Sequence, residues 1–173
     1  PMPVTPTGAL SRALHLVREA LAGMSAFRTW CGVATPEEAR VRAVHAADET
    51  TQPTRPYVVL YLAPGAGGQK AVAAQTFVTS GTLRVAAFGA TTSGYVNDDT
   101  NALLEMQNNW WALLACLRAL SGTEVDGVRL QFNRVGVPAG GEAGFVEPTA
   151  HAGPGHKFEL WEGQAELGWG GED

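Results

Sequence analysis

Apolar positions recur most regularly between Thr100 and Ser121, in the stretch TNALLEMQNNWWALLACLRALS. Leu103, Met106, Trp110, Leu113, Leu117 and Leu120 follow at steps of three and four, which lines one face of an α-helix. Asp98, Asp99 or Thr100 supplies the N-cap, with acid at the positive end of the helix dipole, and Ser121-Gly122 ends the helix. A second stripe runs beside the first: Leu104, Trp111 and Leu114. The polar remainder is narrow, chiefly Glu105, Asn108, Asn109 and Arg118. Such a helix is expected to be covered on two sides, the second by its own chain or by a neighbouring subunit.

Residues 1–7 form an extended arm rich in proline. Leu10, Leu14, Val17 and Leu21 then predict a first helix, closed near Gly23. Ser25 restarts a short turn carrying Phe27 and Trp30, and Gly32 closes it. Thr35-Pro36-Glu37-Glu38 is a helix start of about one turn, with a cap, proline at the first position and acids behind it. Arg40 to Ala46 alternates in the manner of a strand.

Tyr57 to Leu62 is apolar on both faces and predicts a central strand. Pro64 to Gly68 reads as a loop, and Ala71–Thr79 with Thr82–Thr91 as a hairpin around Ser80-Gly81. After the long helix, Val128, Leu130 and Phe132 alternate with Arg129 and Gln131, as in a half-buried strand. Residues 136–155 are rich in Gly, Pro and Ala and hold an isolated Phe145-Val146, a loop too long for an ordinary connection. In the last strand Trp161, Ala165, Leu167 and Trp169 share one phase and Phe158 and Leu160 the other, which places a bulge or bend near Glu162-Gly163. Strands in runs with few helices mean α+β: a mostly antiparallel sheet with the long helix and the N-terminal helix packed on one face, in a single domain spanning 1–173.

Composition narrows the function. The chain has 173 residues, 45% of them hydrophobic and 17% charged, which suits one globular domain. A net charge of −5 provides no basic field for sequence-reading nucleic-acid contacts. Two distant cysteines, Cys31 and Cys116, are expected as free thiols in a reducing compartment. The opening PMPVTPTG has neither a charged nor an apolar leader region, and no apolar run approaches the ~20 residues of a membrane span. The expectation is a soluble chain made in the cytoplasm, with no membrane partner.

Candidate chemistry is sparse. Gly65-Ala66-Gly67-Gly68-Gln69-Lys70 fails as a phosphate loop, because Gln69 precedes the lysine, Ala71 follows it, and a strand comes next. His15 and Glu19 lack the HExxH arrangement of a zinc helix. His151 and His156, with Glu147 nearby, fall in the Gly/Pro-rich region and need no metal to explain them. Asp98-Asp99 is accounted for by helix capping. Trp110-Trp111 could stack bases, but without flanking arginines a core-plus-interface role fits better. Cys31 with His45 is the one conceivable thiol dyad. No catalytic, cofactor or metal site is expected. What stands out is apolar surplus, which in a soluble chain marks an interaction site. The candidate subunit-contact residues are Leu104, Trp111, Leu114, Phe145, Val146, Trp161 and Trp169.

Thr54-Arg55-Pro56-Tyr57-Val58-Val59-Leu60 entering the first central strand, and Leu83-Arg84-Val85-Ala86-Ala87-Phe88-Gly89 feeding the long helix before closing strands, make the chain similar to tail-terminator (neck, or tail-completion) proteins of long-tailed bacteriophages. The resemblance covers roughly residues 8–135 and the last strand. It implies an α+β structural subunit, not an enzyme, in a hexameric ring that caps the tail tube and joins it to the head-side connector or stopper. The sheath would be a further partner if the tail is contractile, and DNA would pass through the lumen without sequence-specific binding. The implied location is the virion, after assembly in the host cytoplasm. An acidic chain suits such a conduit, since like charge keeps a passing duplex from adhering. The alternatives are another tail component (tube, sheath-linked or baseplate) or, from the thiol and a sheet–helix pocket, a small-molecule-binding or thiol enzyme domain.

Overall fold

In the computed structural model the described residues are 4–46, 54, 56–73, 76–90, 99–135, 147–148 and 160–172. They form α1 (Ala9–Gly23), α2 (Ser25–Cys31), α3 (Pro36–Arg42), β1 (Val44–Ala46), β2 (Tyr57–Ala73), β3 (Thr76–Ala90), α4 (Asp99–Ala119), β4 (Glu124–Val125), β5 (Val128–Val135), β6 (Glu147–Pro148) and β7 (Leu160–Glu172). All seven strands join one sheet in the order β1-β2-β3-β7-β5-β4, and β6 pairs with β7 as well. Only β1 and β2 run parallel; the other pairs are antiparallel. The architecture is α+β, as the runs of strands with few helices between them predict.

The last strand in sequence lies near the middle of the sheet, between β3 and β5. Its odd positions, Trp161, Gly163, Ala165, Leu167, Trp169 and Gly171, are all buried, and the even positions between Glu162 and Glu166 are not. Residues directly opposite in antiparallel strands share a face. Leu83, Val85 and Ala87 on β3 and Val128 and Leu130 on β5 therefore extend the same apolar surface. Val58 and Leu60 continue it on β2. The helices cover this face. Trp110 of α4 and Trp30 of α2 meet Trp161, with ring centroids 6.1 and 6.4 Å away. The site of a Cβ on Gly171 lies 3.3 Å from Cβ of Ala9 on α1. Ala9, Ala13, Val17 and Leu21 form the buried row of α1, with Leu10 and Leu14 only partly covered. Small residues at Ala9 and Ala13 let the α1 backbone approach the sheet closely.

The opposite face carries polar and aromatic groups. Tyr57 stacks on Phe88 at 4.9 Å, His45 meets Tyr57 edge-on at 5.5 Å, and Arg84 pairs with Glu166 across β3 and β7 at 3.5 Å.

Local signals explain the boundaries. Thr35 caps α3 by accepting from the Glu38 backbone N–H at 3.2 Å, while the Glu38 carboxylate accepts from the Ala34 N–H at 3.0 Å. This cap supports seven helical residues, so α3 runs to Arg42 and the strand expected from Arg40 shrinks to Val44–Ala46. Gly32, at φ 70°, closes α2, with the Val33 N–H donating to Arg28 O at 3.0 Å.

The hairpin is placed differently from expectation. Ser80 and Gly81 lie inside β3, opposite Gly68 and Gly67 of β2, and the closing pair is Ala73–Thr76. The residues between that pair lie outside the described set. The loop expected at Pro64–Gly68 is absorbed into β2 as an irregularity between Leu62 and Gly67, which places the proline where a strand tolerates it. No bulge occurs at Glu162-Gly163: β3 and β7 keep unbroken register from Ala90–Leu160 to Val78–Glu172. Glycine at 163 is needed for space, not for a bend. Much of the expected arm 1–7 is visible, with residues 4–7 described outside any helix or strand, whereas 136–155 is described only at the short strand Glu147–Pro148.

Candidate functional site

The buried arc of α4 comprises Ala102, Met106, Trp110, Leu113, Leu114, Cys116 and Leu117, and Leu120 continues it just past the helix end. Leu103, expected at the start of that arc, is 39% exposed, and Ala102 takes its place. The arc is broad because α4 meets two things, the sheet and α2. The Trp30 indole N–H donates to Asn109 O at 3.0 Å, tying the two helices together. Phe27 stacks on Trp30 at 5.7 Å, so Phe27, Trp30, Trp110 and Trp161 form one aromatic cluster. The cluster sits on bare backbone. A Cβ on Gly163 would lie 2.8 Å from Trp110 Cζ3, and one on Gly89 would overlap the Trp161 indole. Gly163, expected at a bend, instead marks a close approach of another group, the other reason for glycine inside a strand, and Gly89 meets the same need opposite Trp161.

The outward side of α4 is different. Leu104 and Trp111 are 56% and 57% exposed. Leu104, Asn108, Trp111, Ala115 and Arg118 follow at steps of four and three, so they make one stripe. From Leu103 to Ala119 the remaining exposed side chains are Leu103, Ala112 and Ala119, and Arg118 is the one exposed charge. Its guanidinium carbon lies 4.5 Å from the centre of the Trp111 ring. This cation–π contact holds the indole against the helix and is worth about 0.5–1 kcal/mol at an exposed site.

The other contact candidates fare differently. Leu114 is fully buried. Ten residues beyond Leu104, it is rotated about 80° from the stripe, enough to turn it into the core. Trp161 and Trp169 are 0% and 6% exposed, because the odd face of β7 is covered by helices. The apolar surplus that pointed to these three residues is taken up within the subunit. Phe145 and Val146 lie outside the described residues.

Candidate chemistry is not drawn together. Cys31 is buried in the core; its Sγ donates to Arg28 O at 3.6 Å, and burial pushes its thiol pKa up. His45 is on the other face of the sheet, its Nε2 donating to Arg42 O at 3.0 Å. Burial likewise raises the Cys116 thiol. His15 is exposed, while Glu19 is held by Arg40 Nε at 3.0 and 2.8 Å. The Gly65–Lys70 run is part of β2. Asp98, His151 and His156 lie outside the described residues. Among the described residues no group of three or more His, Cys, Asp or Glu is placed to hold a metal ion, and no described helix is long and apolar enough to cross a membrane.

Compared with known proteins, the sequence matches no protein-family model and no curated protein.

Proposed function

We propose that this chain is a structural, ring-forming subunit of a long-tailed phage virion: a tail terminator that caps the tail tube and joins it to the head-side connector. The observation that carries the reading is the outer stripe of α4. A surface helix normally alternates charges along its exposed side. Here a leucine and a tryptophan stand more than half exposed beside alanines, with one arginine. A surface of this type suits a partner better than water. The α+β fold, with its helices on one face of a mostly antiparallel sheet, is the architecture that the resemblance to tail terminators implies. The buried thiols and the separation of Cys31 from His45 across the sheet weigh against the thiol-enzyme alternative.

In this reading the partners are further copies of the chain, the tail tube protein, the connector or stopper, the sheath in a contractile tail, and DNA passing without sequence-specific contacts. The location is the tail neck of the virion. The experiment is a deletion of the gene in the phage that carries it, with electron microscopy of the resulting tails. Overlong tails, or heads and tails left unjoined, support a terminator. Normal tails joined to heads exclude it. Tails that fail to polymerise at all point instead to a tube or baseplate component.

A further inference from the structure

Asp126 and Gly127 join β4 to β5, with Val125 and Val128 paired across the turn. Their φ angles are 51° and 74°. Glycine adopts such angles freely, and aspartate does so at some cost. Of the aspartates in the sequence only Asp126 precedes a glycine, and no asparagine does. Both turn residues are exposed, and a Cβ on Gly127 would meet nothing within 4 Å, so no neighbouring group shields the Gly127 nitrogen. Among the described residues no hydrogen bond or ion pair holds the Asp126 carboxyl. The main-chain oxygen of Asp126, by contrast, accepts from Arg12 Nη1 of α1 at 2.9 Å. That oxygen belongs to the same peptide group as the Gly127 nitrogen.

We propose that Asp126-Gly127 is a self-modification site, at which the folded chain converts Asp126 to isoaspartate with Arg12 assisting. Loss of the Gly127 N–H proton to solvent places negative charge on the peptide oxygen, and the Arg12 guanidinium is already aimed at that oxygen, so it favours the reactive form. The nitrogen then attacks Cγ of the Asp126 carboxyl in its neutral form. A new N–C bond forms, the hydroxyl takes up a proton and leaves as water, and an imide ring closes. Water reopens the ring. Attack at Cγ restores aspartate. Attack at the former main-chain carbonyl carbon gives isoaspartate, whose main chain runs through Cβ and Cγ. One water leaves and one enters, so the chain keeps its mass and no oxidant or reductant is needed. The product puts an extra main-chain atom into the turn between Val125 and Val128, beside the tie to α1.

Incubation of the full-length folded chain at mildly acidic pH, followed by peptide mapping, tests this. The expected result is a peptide of unchanged mass that an Asp-specific endoproteinase no longer cuts at residue 126, with a precursor lighter by one water that hydroxylamine traps. Arg12→Met should slow its formation about tenfold, the effect of one charge-assisted hydrogen bond lost from the transition state, and Arg12→Lys should restore most of the rate. Gly127→Ala, which leaves Arg12 in place and crowds the nitrogen, should cut the yield to a small fraction. Circular dichroism of each variant confirms that the rates compare folded chains. Isoaspartate that forms at 126 only in the urea-unfolded chain would overturn the site, because the turn would then protect the residue. Equal or faster conversion in folded Arg12→Met would overturn the role of Arg12, because the guanidinium would then be a clamp on the turn.

Discussion

Gly163 of β7 lies beneath Trp110 of α4, and a Cβ placed on it would sit 2.8 Å from Cζ3 and 2.9 Å from Cε3 of that ring. The ring is rigid and fully enclosed, so it has nowhere to move. Gly163→Ala should therefore cost about 1–3 kcal/mol through overpacking, and Gly89→Ala, beneath Trp161, at least as much. Gly170→Ala is the control. Its nearest neighbour is Ser80 Cβ at 3.9 Å, and the change should stay within about 0.5 kcal/mol. Urea denaturation of the three variants distinguishes the positions.

The adjacent tryptophans of α4 should separate two properties. Trp110 is 1% exposed and central to the aromatic cluster, so Trp110→Ala should cost about 3–5 kcal/mol of subunit stability. Trp111 is 57% exposed, so Trp111→Ala should leave subunit stability within about 1 kcal/mol and act on assembly instead. Paired unfolding and sedimentation measurements check both. Equal losses of subunit stability would mean that Trp111 packs within its own chain.

Much of this division was legible in the sequence. Steps of three and four placed Met106, Trp110, Leu113, Leu117 and Leu120 in the core and Leu104 and Trp111 outside it. The same period, applied strictly, turns Leu114 away from Leu104, and α2 packing beside α4 widens the buried arc. The one-phase run Trp161, Ala165, Leu167 and Trp169 was also legible. Its covering by three helices was not, because strand periodicity says which residues share a face and nothing about what lies on it. The β2–β3 hairpin was misplaced because glycine and proline signal a turn and a strand irregularity equally well; long-range pairing with β7 carries Ser80-Gly81 through as strand. The Asp126-Gly127 turn between β4 and β5 was missed, although Asp-Gly is a strong hairpin signal; both residues have positive φ, 51° and 74°.

The N-terminus of α3 should be acid-sensitive. Backbone hydrogen bonds, foremost from the Ala34 N–H, hold the Glu38 carboxyl below its ordinary value of 4.5, and Arg42 adds to this. Glu37 is lowered as well, first by its own backbone N–H and then by Arg40. A depressed folded-state pKa contributes stability above the unfolded value, and that stability is lost as pH falls through the folded one. Stability should therefore decline below about pH 4.5 in part through these groups, and Glu38→Gln should flatten that limb of the melting temperature against pH. An unchanged acid limb would assign the decline to other carboxylates.

Both thiols should be inert in the folded chain. Burial raises the pKa of Cys31 and Cys116, so little thiolate forms near neutral pH. Labelling with a thiol reagent at pH 8 should be slow until denaturant is added. Rapid modification of Cys31 alone would revive the thiol-enzyme alternative.

Whether the α4 stripe brings copies of this chain together is tested most directly by the solution mass measured by light scattering at tens of micromolar, with negative-stain imaging of the same sample. The predicted result is a closed ring several times the 18.2 kDa subunit mass, reduced toward the monomer by Trp111→Ala. A stable 18.2 kDa monomer for the unmodified chain, or a ring that Trp111→Ala leaves intact, would contradict it.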